Sequence, residues 1–127
     1  MKQEDKELLL KDLCARLPYG VKVSTFTYNK ISGEELDSIE TLYSIDSDGY
    51  ITTDECDTSR PICKPYLFPI SSMTKEQEEE YKKTIIRDGI LTVWTTSTYE
   101  WFNKNHFDYR RLIPKGLAKD ATKLNIY

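Results

Sequence analysis

The sequence predicts an α+β fold: a small antiparallel meander of about three strands packed with an N-terminal helix and two or three further helices. Three features predict it. Apolar residues recur at helical spacing over residues 3–17. β-Branched and aromatic stretches at 21–28, 36–45 and 50–53 are separated by glycine-bearing turns. Two capping boxes, at Thr74 and at Ser97, open later helices. A chain of 127 residues should expose roughly 7,000 Å² folded against roughly 21,600 Å² unfolded, which is enough burial for one hydrophobic core and implies a single domain.

Over residues 3–17, Leu9, Leu10, Leu13, Cys14 and Leu17 fall at i, i+3, i+4 and i+7 spacings, with Lys6, Lys11, Asp12 and Arg16 largely between them. That pattern is an amphipathic helix with Cys14 on its apolar face as a small inert core residue. Pro18-Tyr19-Gly20 stops it, because proline disfavours a helical residue before it and glycine accepts a positive φ. Val21 to Tyr28 then reads as a strand with Val21 and Val23 on one face and Phe26 and Tyr28 on the other, followed by a turn over Asn29 to Glu34. Leu36 to Ile45 suits either a helix or a strand by spacing. The turn Asp46-Ser47-Asp48-Gly49 and the short run Tyr50 to Thr53 behind it favour a strand and complete the meander.

Pro61, Pro65 and Pro69 remove three amide donors from residues 56–70, which predicts an extended edge or covering segment and not an interior strand or helix. Thr74 with Gln77 opens a helix running to about Arg87, with Tyr81, Ile85 and Ile86 on its buried side and Asp88-Gly89 ending it. Ile90 to Trp94 is short and strand-like. Ser97-Thr98-Tyr99-Glu100 opens a helix in which Tyr99, Phe102 and His106 share a face. Asp108 caps a last helical turn through Leu112, closed by Pro114 and Gly116.

Residues 29–58 hold nine acids against one base and residues 101–127 six bases against two acids, within a net charge of −3. The basic tail, with Arg110, Arg111, Lys115, Lys119 and Lys123, could touch phosphates, but the overall acidity argues against nucleic acid as the main partner. Leu8-Leu9-Leu10 is too short for a signal core or a membrane span, so a cytoplasmic protein without membrane contact is expected. Cys14, Cys56 and Cys63 are an odd number without a C-x-x-C pair, and His106 is the only histidine. Neither a disulfide framework nor a zinc knuckle is expected, and no cofactor is implied.

Four segments together resemble a family of small proteins encoded by Bacteroides-type gut bacteria, their prophages and their phages: Lys6 to Val23 (KELLLKDLCARLPYGVKV), Ser44 to Thr52 (SIDSDGYIT), Cys63 to Thr74 (CKPYLFPISSMT) and Trp101 to Leu117 (WFNKNHFDYRRLIPKGL). The resemblance spans the length of the chain and implies no particular activity. This chain departs from the family's pattern at Lys104-Asn105-His106, where two adjacent histidines are usual, at Arg111, where glycine is usual, and at Pro114, where an acid is usual.

Two motifs carry candidate chemistry. Ser44 to Glu55 matches a twelve-residue EF-hand loop at several positions, with Asp46, Asp48, the Tyr50 carbonyl and Glu55 as oxygen donors around Gly49. Ser44 replaces the first-position aspartate, and the exit segment holds Pro61. A polar hairpin turn accounts for the same residues. His106, Asp108, Arg110 and Arg111 form the densest polar cluster, and a catalytic or ligand-binding reading makes His106 a base, Asp108 its orienter and an arginine an anion clamp. A helix cap at Asp108 and a helix-end histidine explain them better. No Gly-rich phosphate loop and no nucleophile with its base is present in the sequence. The expectation is therefore a non-enzymatic accessory protein of a mobile element that binds another protein, through the acidic hairpin and its tyrosines.

Overall fold

The computed structural model describes residues 2–28, 35–54, 56–60, 62–87, 90–91 and 93–127, and it is α+β. In chain order the elements are α1 (Gln3–Arg16), β1 (Lys22–Tyr28), β2 (Glu35–Ile45), β3 (Ile51–Thr53), β4 (Cys56–Arg60), β5 (Lys64–Leu67), α2 (Lys75–Ile85), β6 (Ile86–Arg87), β7 (Ile90–Leu91), α3 (Thr96–Lys104) and β8 (Lys119–Asp120). Six strands form one sheet in the order β4-β3-β2-β1-β5-β8, and β6 pairs with β7 in a separate ribbon.

The predicted meander is present as β1–β2–β3, antiparallel throughout. Asp46-Ser47-Asp48-Gly49 makes its second turn: Asp46 N–H donates to the Tyr50 carbonyl, and Gly49 takes φ +83°. The sheet is twice as large as expected because the proline-bearing segment supplies two strands, β4 and β5, and Lys119–Asp120 supplies a third, β8. β4 forms one edge, as an extended edge segment should. β5 instead lies inside the sheet between antiparallel β1 and parallel β8, which corrects the expectation for this stretch. Pro65 fits there because β5 is four residues long and its ladder with β1 is short, with Pro65 opposite Val23. Four chain steps separate Arg60 from Lys64 and reach at most about 14 Å. A flat sheet would place β4 about 19 Å from β5, so the sheet curls.

The α1 stripe is displaced from the predicted one. Leu9, Asp12, Leu13 and Arg16 are the buried positions, a strict i, i+3, i+4, i+7 set, whereas Cys14 is exposed. Asp12 and Arg16, read as solvated residues between the leucines, are fully buried because each neutralises the other inside the stripe. Leu9 and Leu13 pack against Val21, Val23, Leu42, Ile51 and Leu67 from the sheet, and Leu112 and Leu117 close the same core. Pro18 sits in a short 3₁₀ turn at Leu17–Tyr19, and Gly20 follows at φ +68°, as the helix-stop reading requires.

Thr74 and Gln77 form the expected reciprocal box at the start of α2. The helix ends at Ile85, two residues early, because Ile86-Arg87 turns extended to pair with Ile90-Leu91, and Ile86 is exposed instead of buried. The cap of α3 is Thr95, not Ser97: the Thr95 hydroxyl accepts from Thr98 N–H, and the Thr98 hydroxyl accepts from Thr95 N–H at 3.0 Å. Threonine takes the third position in place of glutamate, and the box forms two residues upstream. The helix ends at Lys104, so His106 lies beyond it, at φ +63°. The predicted turn over Asn29 to Glu34, the Asp88-Gly89 stop and Glu55 lie outside the described residues. Among the described residues no helix is long and apolar enough to cross a membrane.

Candidate functional site

A buried polar centre joins α1 to the segment after α3. Arg16 Nε donates to Asp12 Oδ2 at 2.9 Å, and its Nη2 donates to the Phe107 carbonyl at 2.6 Å. Arg110 Nε reaches the other Asp12 oxygen at 3.2 Å, so one carboxylate holds two guanidinium groups. Arg110 Nη2 also donates to the Tyr109 hydroxyl, which in turn donates to Asn103 Oδ1 at 3.0 Å. Both guanidinium carbons lie near the Tyr109 ring, at 5.3 Å for Arg16 and 4.8 Å for Arg110. Arg16 Nη1 is buried with no hydrogen-bond partner among the described residues.

The segment 105–116 is held against β5 by two backbone bonds, Phe68 N–H to the His106 carbonyl and Asp108 N–H to the Phe68 carbonyl, both 2.8 Å. His106 is buried and stacks on Tyr127 with ring centroids 3.8 Å apart and planes 13° from parallel. Burial, and then the nearby charges of Arg16 and Lys22, push its pKa down from 6.5 to about 4. It is therefore neutral at pH 7 and too weak a base to match the proton-transfer role the cluster suggested. The Tyr127 hydroxyl donates to the Tyr66 carbonyl and accepts from Lys22 N–H, each at 2.7 Å, and burial raises its pKa.

Asp108 is a cap, although not of a helix. Its Oδ1 accepts from Leu112 N–H at 2.8 Å and its Oδ2 from Ile113 N–H at 2.9 Å, while residues 109–110 and 112–116 form turns. Each carboxylate oxygen takes a separate amide. Asp108→Ala is expected to cost about 2 kcal/mol and Asp108→Asn about 1 kcal/mol, since Asn keeps one acceptor and turns an N–H₂ toward the second amide. Urea midpoints for the two variants check the order, and equal losses would mean that the charge matters more than the oxygens.

The four residues of the predicted cluster thus part company. His106 faces Tyr127, Asp108 faces two amides and Arg110 faces Asp12. Only Arg111 is exposed, at φ +58°, with no hydrogen bond or ion pair to another described residue. It lines a cleft of about 740 Å³ together with Trp94, Tyr109, Ile70, Ile113 and Asp108. The aromatic walls are fixed from behind: Trp94 Nε1 donates to the Tyr81 hydroxyl at 2.7 Å, and Trp94 and Tyr109 both pack on Phe102.

At the other candidate loop, Asp46 Oδ1 accepts from Asp48 N–H and from Tyr50 N–H, both at 2.9 Å. That carboxylate organises the hairpin turn, and among the described residues no group of three or more acidic, cysteine or histidine side chains is gathered as a metal site would need. Nearby, buried Glu40 accepts from the Thr25 hydroxyl and from the Thr53 hydroxyl, the latter at 2.7 Å, which ties β1, β2 and β3 together through one carboxylate.

Sequence reasoning missed Asp12, Arg16 and Tyr127. For the first two a signal existed, an acid four residues before a base in register with Leu9 and Leu13; for Tyr127 none did. No family model, no curated protein and no solved structure matches the chain.

Proposed function

We propose that the chain is a non-enzymatic protein-binding module, an accessory factor of a mobile element, whose docking face is the β2–β3 hairpin. One observation carries the reading: Tyr43, at the register shift between β2 and β3, is 74% exposed although it sits within a strand, and Tyr50 beyond the turn is 48% exposed. Large aromatic side chains left in water beside a rigid ladder are the residues from which interface hot spots are built. Ile39 on β2 is also exposed, and Asp46, Asp48 and Asp54 surround the tyrosines with negative charge. The chemistry this face would recognise is a basic surface with an apolar centre, and the carboxylates would speed the encounter at low salt.

Replacing both tyrosines, Tyr43→Ser with Tyr50→Ser, should leave stability within about 1 kcal/mol, because both side chains are exposed. The same pair should abolish capture of the partner. Affinity capture from a Bacteroides lysate, run with wild type and the double variant at two salt concentrations, tests this. A basic protein retained by wild type, lost with the variant and weakened by salt is the expected result; recovery of no specific protein would sink the reading.

A further inference from the structure

The cleft beside Arg111 has the chemistry of a small-molecule site, separate from the acidic hairpin face. Its volume of about 740 Å³ lies within the roughly 300–1,000 Å³ typical of such sites. Its walls are largely apolar, with Trp94 and Tyr109 as the aromatic members and Ile70 and Ile113 as the aliphatic ones. Both rings are locked before any ligand arrives. Trp94 is held by its bond to Tyr81, and Tyr109 is held by Asn103, Arg110 and the stack on Phe102. A ring entering the cleft would meet two preset aromatic side chains, Tyr109 already carrying Phe102 and two guanidinium groups against its ring, at little cost in side-chain freedom.

The charged residues of the cleft are Asp108 and Arg111. Both oxygens of Asp108 already accept backbone amides. Arg111 lines the cleft, and its guanidinium has no bond to any described residue. It does so from φ +58°, a conformation in which a long side chain is uncommon and glycine is at ease. Among neighbouring cations, Arg110 is tied to Asp12 and Tyr109, so Arg111 is the cleft's available charge. A planar guanidinium matches a carboxylate in two parallel bonds.

We propose that this cleft binds a small aromatic carboxylate, with its ring against Trp94 and Tyr109 and its carboxylate on Arg111. Titration calorimetry with 2-naphthoate and its neutral counterpart 2-naphthamide, on wild type, Arg111→Gly and Arg111→Lys, tests it. Wild type should bind the acid roughly tenfold or more tightly than the amide, the difference a charge-assisted bond supplies. Arg111→Gly should lose that preference while its melting midpoint stays level or rises, since glycine suits the backbone there. Arg111→Lys should keep part of the preference. Equal affinity for acid and amide, an unchanged preference in Arg111→Gly, or no binding of the acid by wild type would each overturn the proposal.

Discussion

Asp12→Ala is expected to be among the most damaging single substitutions in the chain, costing about 3–5 kcal/mol. The side chains of Asp12 and Arg16 are both fully buried, and the second arginine on the same carboxylate, Arg110, is largely covered. Removing the carboxylate leaves the Arg16 guanidinium in a dry interior with the Phe107 carbonyl as its remaining acceptor. The cost is the unpaired charge more than the lost bond. A paired variant separates the two: Asp12→Leu with Arg16→Met removes both charges and keeps the volume, and should be less destabilised than Asp12→Ala alone. Guanidinium titrations of the three proteins measure this, and a loss under about 1 kcal/mol for Asp12→Ala would show that the pair contributes no more than a surface bridge does.

What the sequence made legible follows from the range of the interactions involved. The meander, the helix stop at Pro18-Tyr19-Gly20 and the Thr74–Gln77 box are local, each set by residues within a few positions of one another, and each is found where the pattern put it. Periodicity failed where polarity and burial diverged. Asp12 and Arg16 belong to the buried stripe of α1, and a reading that sorts residues by hydropathy rotates the helix toward Cys14. Strand β5 escaped for the opposite reason: proline argues against an interior strand from its own chemistry, and only the neighbours supplied by β1 and β8 place it inside.

The candidate site was legible as a cluster and illegible as a geometry. His106, Asp108, Arg110 and Arg111 are neighbours in sequence, but only Asp108 finds its partners nearby: Arg110 meets Asp12 across 98 positions, and Arg16 reaches the Phe107 carbonyl between them across 91. Three of the four are absorbed by those partners or by local amides, which leaves Arg111 in the cleft. His106 and Arg111 both take a positive φ, which no residue pattern in the cluster announces.

Stability should fall by about 3 kcal/mol between pH 6.5 and pH 4 through His106 alone, and the sign follows from its environment. In the folded protein burial and the charges of Arg16 and Lys22 hold its pKa at about 4, against 6.5 for the same side chain in the open chain. Above pH 6.5 both states carry a neutral imidazole and the residue adds no pH dependence. Between 6.5 and 4 the unfolded chain takes up the proton and the folded protein does not, so acid favours unfolding. Below about 4 both states are protonated and the loss levels off. The stack on Tyr127 sets this titration beside the hydroxyl that joins Tyr66 to Lys22, at the contact that ties the C-terminal residues to β1 and β5. Asn suits the backbone at φ +63° and does not titrate, which makes His106→Asn the matched control. Urea midpoints of wild type and His106→Asn across this range share the carboxylate contribution, and their difference isolates the imidazole. The wild type should lose stability faster with acid, by about 1.4 kcal/mol for each pH unit near the middle of the range. Parallel curves for the two proteins would place His106 in a solvated, ordinary titration and remove the buried neutral ring from the account of this fold.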